Sequence, residues 1–223
     1  YILDATEDAH VYLGVKNGVE LETLIEAFQT AQDTQRAFDD ETYINKIPVK
    51  KHDHALIPAG TIHCSGAGTM VLEISATPYI FTFKLYDWGR VGLDGKPRPI
   101  NIARGKENIQ IDRNTDWVYE NCIHREKTIY QDKDLTIERT GLHELEFIET
   151  LRYSFTSEMH RTMNDCFDMI NLVEGQEVEI YSPKNAFPPF TLHYVETCIL
   201  PASLKEYSIR TKSPAKIICA SVR

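Results

Sequence analysis

Ile57-Pro58-Ala59-Gly60-Thr61-Ile62-His63-Cys64-Ser65-Gly66-Ala67 is the stretch from which the rest of the chain is read. An apolar segment runs into a Pro-Ala-Gly turn, and the chain leaves the turn carrying one histidine, His63. Before it, His52 and Asp53 open a short turn ahead of Ala55, Leu56 and Ile57. After it, Thr69 to Ser75 reads as a strand holding one charged residue, Glu73. A polar side chain delivered by a tight turn between apolar strands is how a small β-barrel places a metal ligand in its mouth. His63 is therefore a candidate metal ligand. The plain alternative is a histidine satisfied within its own turn.

The surrounding chain bounds the function. Its 223 residues allow one large domain or two small ones, and 42% hydrophobic residues suffice for a packed core. The net charge of -9, from 24 Lys plus Arg against 33 Asp plus Glu, disfavours a nucleic-acid partner, whose phosphates are neutralised by cations. A small phosphorylated ligand needs only a few local cations and stays allowed. Cys64, Cys122, Cys166, Cys198 and Cys219 are odd in number, scattered and free of any Cys-x-x-Cys. That pattern predicts neither a disulfide framework nor a cysteine zinc site, and a reducing compartment. No apolar run approaches the roughly 18 residues of a membrane span, so no membrane partner is expected. No signal peptide is expected either. Tyr1-Ile2-Leu3 already reads as strand, so the chain is expected to begin in the middle of something.

Two short strands, Tyr1 to Leu3 and Ala9 to Val15, flank the turn residues Thr6-Glu7-Asp8. The period then changes: Leu21, Leu24, Ile25 and Phe28 form one stripe of an amphipathic helix, with Asn17 and Glu20 as a capping pair. A second helical stretch is expected over Thr34 to Tyr43. Strands return at Ile47 to Val49, Ala55 to Ile57, Thr69 to Ser75 and Tyr79 to Tyr86, where Phe81, Phe83 and Leu85 alternate with polar residues. Gly89 to Pro99 is a loop. From Ile129 the chain reads as evenly spaced strands, a sandwich or barrel pattern. The expected division is a first lobe over 1–95 with a helical insertion at about 18–44, a linker with some helix over 96–128, and a second lobe over 129–223.

A weak repeat links the lobes. Ile57-Pro58-Ala59-Gly60-Thr61-Ile62-His63 is similar to Leu200-Pro201-Ala202-Ser203-Leu204-Lys205-Glu206, with Glu206 where the first copy has His63. Two barrels of one type follow, the second without metal chemistry.

Pro58-x-Gly60-x-x-His63 has the spacing of the second cupin motif, whose opening glycine and closing asparagine are here His52 and Ala67. The resemblance implies an all-β fold of two cupin-type jelly-roll barrels, the first carrying a short helical insertion. It narrows with Gly66-Ala67-Gly68, Val71-Leu72-Glu73-Ile74, Lys84-Leu85-Tyr86-Asp87-Trp88-Gly89-Arg90 and Arg98-Pro99-Ile100-Asn101-Ile102, together with Tyr12 to Val19. These segments resemble the type I mannose-6-phosphate isomerases, in their central and C-terminal portion.

That resemblance implies an aldose–ketose isomerase working in the cytoplasm on a hexose phosphate. Such a family interconverts mannose 6-phosphate and fructose 6-phosphate through an enediol, with a divalent metal, usually zinc, as cofactor. The step needs a cation to polarise the carbonyl and a general acid/base within reach of the carbons. The family's metal is held by a Gln-x-His pair, a Glu and a later His; the later His corresponds to His63, and the chain contains no Gln-x-His. Glu73 corresponds to an active-site glutamate. Lys84 stands where the family has arginine, keeping the charge without the bidentate fork. Arg90 and Arg98, with Lys84, are the candidates for holding phosphate. The zinc site is thus incomplete, and the chain alone is expected to be incompetent as an isomerase. The alternative is a non-catalytic cupin that binds a sugar or sugar phosphate. The oligomeric state is left open.

Overall fold

A computed structural model describes residues 1–75, 82–141, 145 and 147–222. It contains two compact units, Tyr1–His124 and Arg125–Arg223. The first holds β1 (Ile2–Ala5), β2 (His10–Val15), α1 (Leu21–Thr34), α2 (Asp40–Tyr43), β3 (Ile44–Pro48), β4 (His63–Ser65), β5 (Thr69–Val71), α3 (Ile102–Lys106) and α4 (Thr115–Asn121). The second holds β6 (Lys127–Gln131), β7 (Leu135–Gly141), β8 (Ile148–Phe155), β9 (Glu158–Thr162), β10 (Asp168–Glu174), β11 (Glu177–Tyr181), β12 (Phe190–His193), β13 (Thr197–Leu200), β14 (Glu206–Arg210) and β15 (Ala215–Val222).

In the first unit β2 is the central strand of the antiparallel sheet β3-β2-β4, and β1 pairs with β5. Side chains alternate across β2, so its neighbours serve different cores. Leu13 packs with Ile47, Val118, Cys122 and Ile123. Tyr12 packs at the margin of the other core, around Val15, Leu24, Phe28 and Phe38. The apolar stripe of α1 supplies that second core: Leu24 and Phe28 are buried, with Leu21 and Ile25 at its margin. Residues expected as linker contribute Ile102 to one core and Val118 and Cys122 to the other, so they are built into this unit.

Several local expectations are corrected. Glu20 occupies the N-cap of α1 without a side-chain cap bond. Asn17 instead accepts a hydrogen bond from the Asp116 amide at 3.4 Å. The second helical stretch is only the four residues of α2, started by Asp39, which accepts from the Thr42 amide. Ala55 forms a single bridge with Ile123 and no strand. Strand β5 stops at Val71, two residues before Glu73. Of the strand expected over Tyr79 to Tyr86, residues 79–81 lie outside the described residues, and 82–86 are not strand.

The second unit is a sandwich of two antiparallel sheets, β13-β10-β15-β8-β7-β6 and β12-β11-β14-β9. Leu151, Tyr153, Ile170, Leu172 and Ile217 from the first sheet meet Met159, Ile180, Tyr207 and Ile209 from the second. Full burial of each such side chain is worth about 1.5–3 kcal/mol, which holds the layers together. β9 escapes sequence reading because Glu158, His160 and Arg161 hide the one fully buried residue, Met159. β12 and β13 are separated by a turn with Val195 at φ 62.

Candidate functional site

The Pro-Ala-Gly turn is built as its residue types require. Gly60 sits at φ +88, where a Cβ would come within 2.6 Å of Gln110 Cγ and 2.8 Å of the Asn108 carbonyl oxygen. Only glycine meets both conditions without strain. Thr61 Oγ1 donates to the Pro58 carbonyl at 2.7 Å and closes the turn. The chain then enters β4 at His63, opposite Leu13 of β2. His63 Nδ1 lies 2.8 Å from the Thr61 carbonyl oxygen. A carbonyl can only accept, so Nδ1 carries the proton and Nε2 presents its lone pair from an exposed side chain.

One imidazole is not a metal site, since catalytic zinc keeps three protein ligands. Among the described residues no group of three or more His, Cys, Asp or Glu side chains converges as a metal site. The residues present therefore do not fit the expected zinc on their own.

The remaining candidates fall in other places. Glu73 is exposed, just past the Leu72 amide that donates to the Tyr1 carbonyl at 2.8 Å. Among the described residues, no hydrogen bond or ion pair joins His63 to Glu73 or Lys84. Lys84 and Arg98 are brought together by Asp87, which the sequence reading did not single out. Arg98 grips it with Nε at 2.5 Å and Nη2 at 2.8 Å, and Lys84 Nζ stands 3.6 Å away. The Arg98 hydrogen bonds, with Lys84 adding its charge, hold the Asp87 carboxyl below the usual carboxylate range. The fork of Arg98 is thus already occupied.

Arg90 leaves a tight turn in which Trp88 and Gly89 have φ 50 and 64 and the Arg90 amide donates to the Asp87 carbonyl at 2.9 Å. Two consecutive positive φ values mark a type I′ hairpin turn. The Arg90 guanidinium lies 5.7 Å from the Trp88 ring, which in turn meets Tyr12 at 6.4 Å. Tyr12 is opposite Cys64, and Leu13 is opposite His63. Successive residues of a strand face opposite ways, so Arg90 and His63 serve opposite faces of this sheet.

The second copy shares the bond from the residue three on to the proline carbonyl, Leu204 amide to Pro201 at 3.0 Å, but its positive φ falls on Lys205 and not on Ser203, which aligns with Gly60. Pro201 leads into a short 3-10 helix, Lys205 takes φ 64, and Glu206 opens β14 as His63 opens β4. Glu206 is held by Lys184 Nζ at 2.7 Å.

Known proteins are similar to this chain in sequence and in fold. The chain superposes on the crystal structure of mannose 6-phosphate isomerase from Bacillus subtilis with a TM-score of 0.75, over 99% of its own length and 62% of that chain, at 20% identity. Mannose-6-phosphate isomerase ManA of Bacillus subtilis is 25% identical over 178 residues, 79% of this chain and 50% of the relative. By sequence and by fold, this chain is similar to mannose-6-phosphate isomerases. YvyI of the same organism, named for the same activity, is 23% identical over 212 residues, 94% of this chain and 60% of the relative. The mannose-6-phosphate isomerase of Streptococcus mutans is 30% identical over 113 residues, 50% of this chain and 32% of the relative. No family model matches the chain. It thus spans about 60% or less of the length of these isomerases, and its own fold is all-β and cupin-type.

Proposed function

We propose that this chain serves aldose–ketose isomerisation of the mannose-6-phosphate isomerase type, as part of a site it does not complete by itself. The observation that carries this is a likeness to those isomerases running through both units, over 94% of the chain in sequence. The ligand is a hexose phosphate, handled in the cytoplasm. His63 offers Nε2 as one donor to a divalent metal, zinc in the resemblance, and the other donors are absent from the described residues. Glu73 is assigned to proton transfer and Lys84 to steadying negative charge on the substrate oxygens. Of the phosphate candidates, Arg98 is committed to Asp87 and Lys84 stands against the same carboxylate, while among the described residues Arg90 has no ion pair and lies against Trp88.

The test is metal analysis and calorimetry on the purified chain beside a coupled fructose-6-phosphate assay. Binding of mannose 6-phosphate without turnover and without stoichiometric zinc is the expected outcome. Stoichiometric zinc with ordinary turnover overturns the incompleteness of the site. Failure to bind any hexose phosphate overturns the reading as a whole.

A further inference from the structure

Among the described residues, the positive charge of Arg113 is offset only by a long ion pair to Asp112. The Arg113 side chain is only 14% exposed, and the nearest carboxylate oxygen, on a mostly exposed Asp112, is 4.0 Å from Nε. That Nε is buried with no hydrogen-bond partner. A guanidinium offers five donors, and a buried polar group without a partner in a native fold calls for an explanation. Cys122 does not offset the charge, because burial pushes its thiol up to about 12 and keeps it neutral.

The position is held from several sides. The Arg113 guanidinium lies over the Trp117 ring at 3.8 Å from its centroid. The Arg113 amide donates to the Gln110 carbonyl at 3.1 Å, and its carbonyl accepts from the Val15 amide at 3.0 Å. Gly14, at φ +66, admits this approach: a Cβ there would lie 2.4 Å from the Arg113 carbonyl oxygen. The residue is therefore pinned to the end of β2, with its planar fork already oriented by the indole. Val118, on the same short helix as Trp117, packs against Leu13, whose partner across the ladder is His63. Gly14 breaks the regular alternation between Leu13 and Val15, which pack in different cores. Arg113 and His63 are thus both tied to β2, Arg113 through Val15 and His63 through Leu13.

We propose that Arg113 is an anion-binding residue whose ligand is a phosphate monoester, with Trp117 as the platform that presets its fork. A planar fork matches phosphate oxygens in pairs and needs little ordering when it is already stacked. The assignment of that phosphate to a hexose phosphate rests on the isomerase reading; the anion site does not.

The chain has two tryptophans, so Trp88→Phe leaves Trp117 as its one indole. In that background, emission is followed while inorganic phosphate, mannose 6-phosphate and mannose are added at constant ionic strength. A saturable change with both phosphates and none with mannose is expected. Arg113→Met should weaken the phosphate response about tenfold or more, the scale of lost charge-assisted hydrogen bonds. Its thermal midpoint should hold or rise, since a weakly compensated buried charge is removed; a purely structural arginine predicts a fall. Should Arg113→Met not fold, Arg113→Lys decides, with weakened phosphate binding at an unchanged midpoint expected. No phosphate response in the parent, or an undiminished one in the variants, overturns the proposal. Equal affinity for phosphate and mannose 6-phosphate upholds the anion site and counts against the hexose phosphate.

Discussion

Arg98 closes both arms of its guanidinium on one carboxylate, Asp87, with Nε on Oδ2 at 2.5 Å and Nη2 on Oδ1 at 2.8 Å. Asp87 is 7% exposed, and the pair ties the start of the Trp88–Gly89 turn to the strand-like return at Arg98. The same segment adds the Arg98 amide to the Arg90 carbonyl at 3.0 Å.

A pH dependence follows from that pair. The Asp87 carboxyl is held below its usual range, first by the Arg98 hydrogen bonds and then by the Lys84 charge. A group whose folded value is depressed adds stability above its unfolded value, about 3.9 for Asp, and that stability is lost as pH falls through the folded value. The turn should therefore stay intact down to about pH 4 and loosen below it. The Trp88 indole resonance followed by NMR against pH checks this. Asp87→Asn should remove the acid step and loosen the turn already at neutral pH. An acid step that survives in the variant assigns it to another group.

A second prediction concerns Gly14. Its φ of +66 costs a side-chain-bearing residue about 1–2 kcal/mol. A Cβ would also come within 2.5 Å of Val118 Cγ2, in a helix that packs on β2. Gly14→Ala should therefore lower stability by more than about 2 kcal/mol, read as a shift in the denaturant midpoint. A loss below about 1 kcal/mol would mean that α4 yields freely.

The sequence made the turn at Pro58 to His63 legible because its geometry is local. Gly60 at positive φ and the Thr61 hydroxyl on Pro58 are consequences of residues three apart. The strands of the second unit were legible for the same reason, from alternation. What stayed hidden depends on partners far along the chain. Arg113 lies in the span expected as linker, and the bond from Val15, remote in sequence, ties it to β2. Thr69 to Ser75 was expected as one strand holding Glu73, yet the ladder with β1 ends at Val71 and leaves Glu73 exposed. Asp87 and Arg98, eleven residues apart, meet only because the intervening turn folds back.

Chelation should leave the chain's stability unchanged. A metal held at a thousand times its Kd would stabilise the folded state by about 4.1 kcal/mol, and its removal would show as a marked drop in Tm. With His63 as the one donor and no cluster among the described residues, no such drop is expected. Thermal melts with and without EDTA, and with added zinc, measure it. A drop on chelation that His63→Ala abolishes would show that the chain completes a site unaided.

In the second unit the largest single effects should come from Asp168, which is 1% exposed and gripped by Arg161 through Nε at 2.5 Å and Nη2 at 2.8 Å. Tyr207 donates its hydroxyl to the same carboxylate at 3.0 Å, and Arg161 Nη1 donates to the Tyr153 hydroxyl at 2.8 Å. Every member is satisfied by another, so removing one leaves a charge buried alone. Asp168→Asn should destabilise by about 3–5 kcal/mol, the cost typical of breaking a buried pair. Replacing both charges, Arg161→Met with Asp168→Leu, removes the desolvation cost together with the attraction and should recover most of that loss. Urea unfolding of Arg161→Met, Asp168→Leu and the double variant yields the coupling energy directly. If the double variant is as unstable as the worse single one, the Tyr153 and Tyr207 hydroxyls, orphaned by the change, carry the energy and the ion pair itself does not.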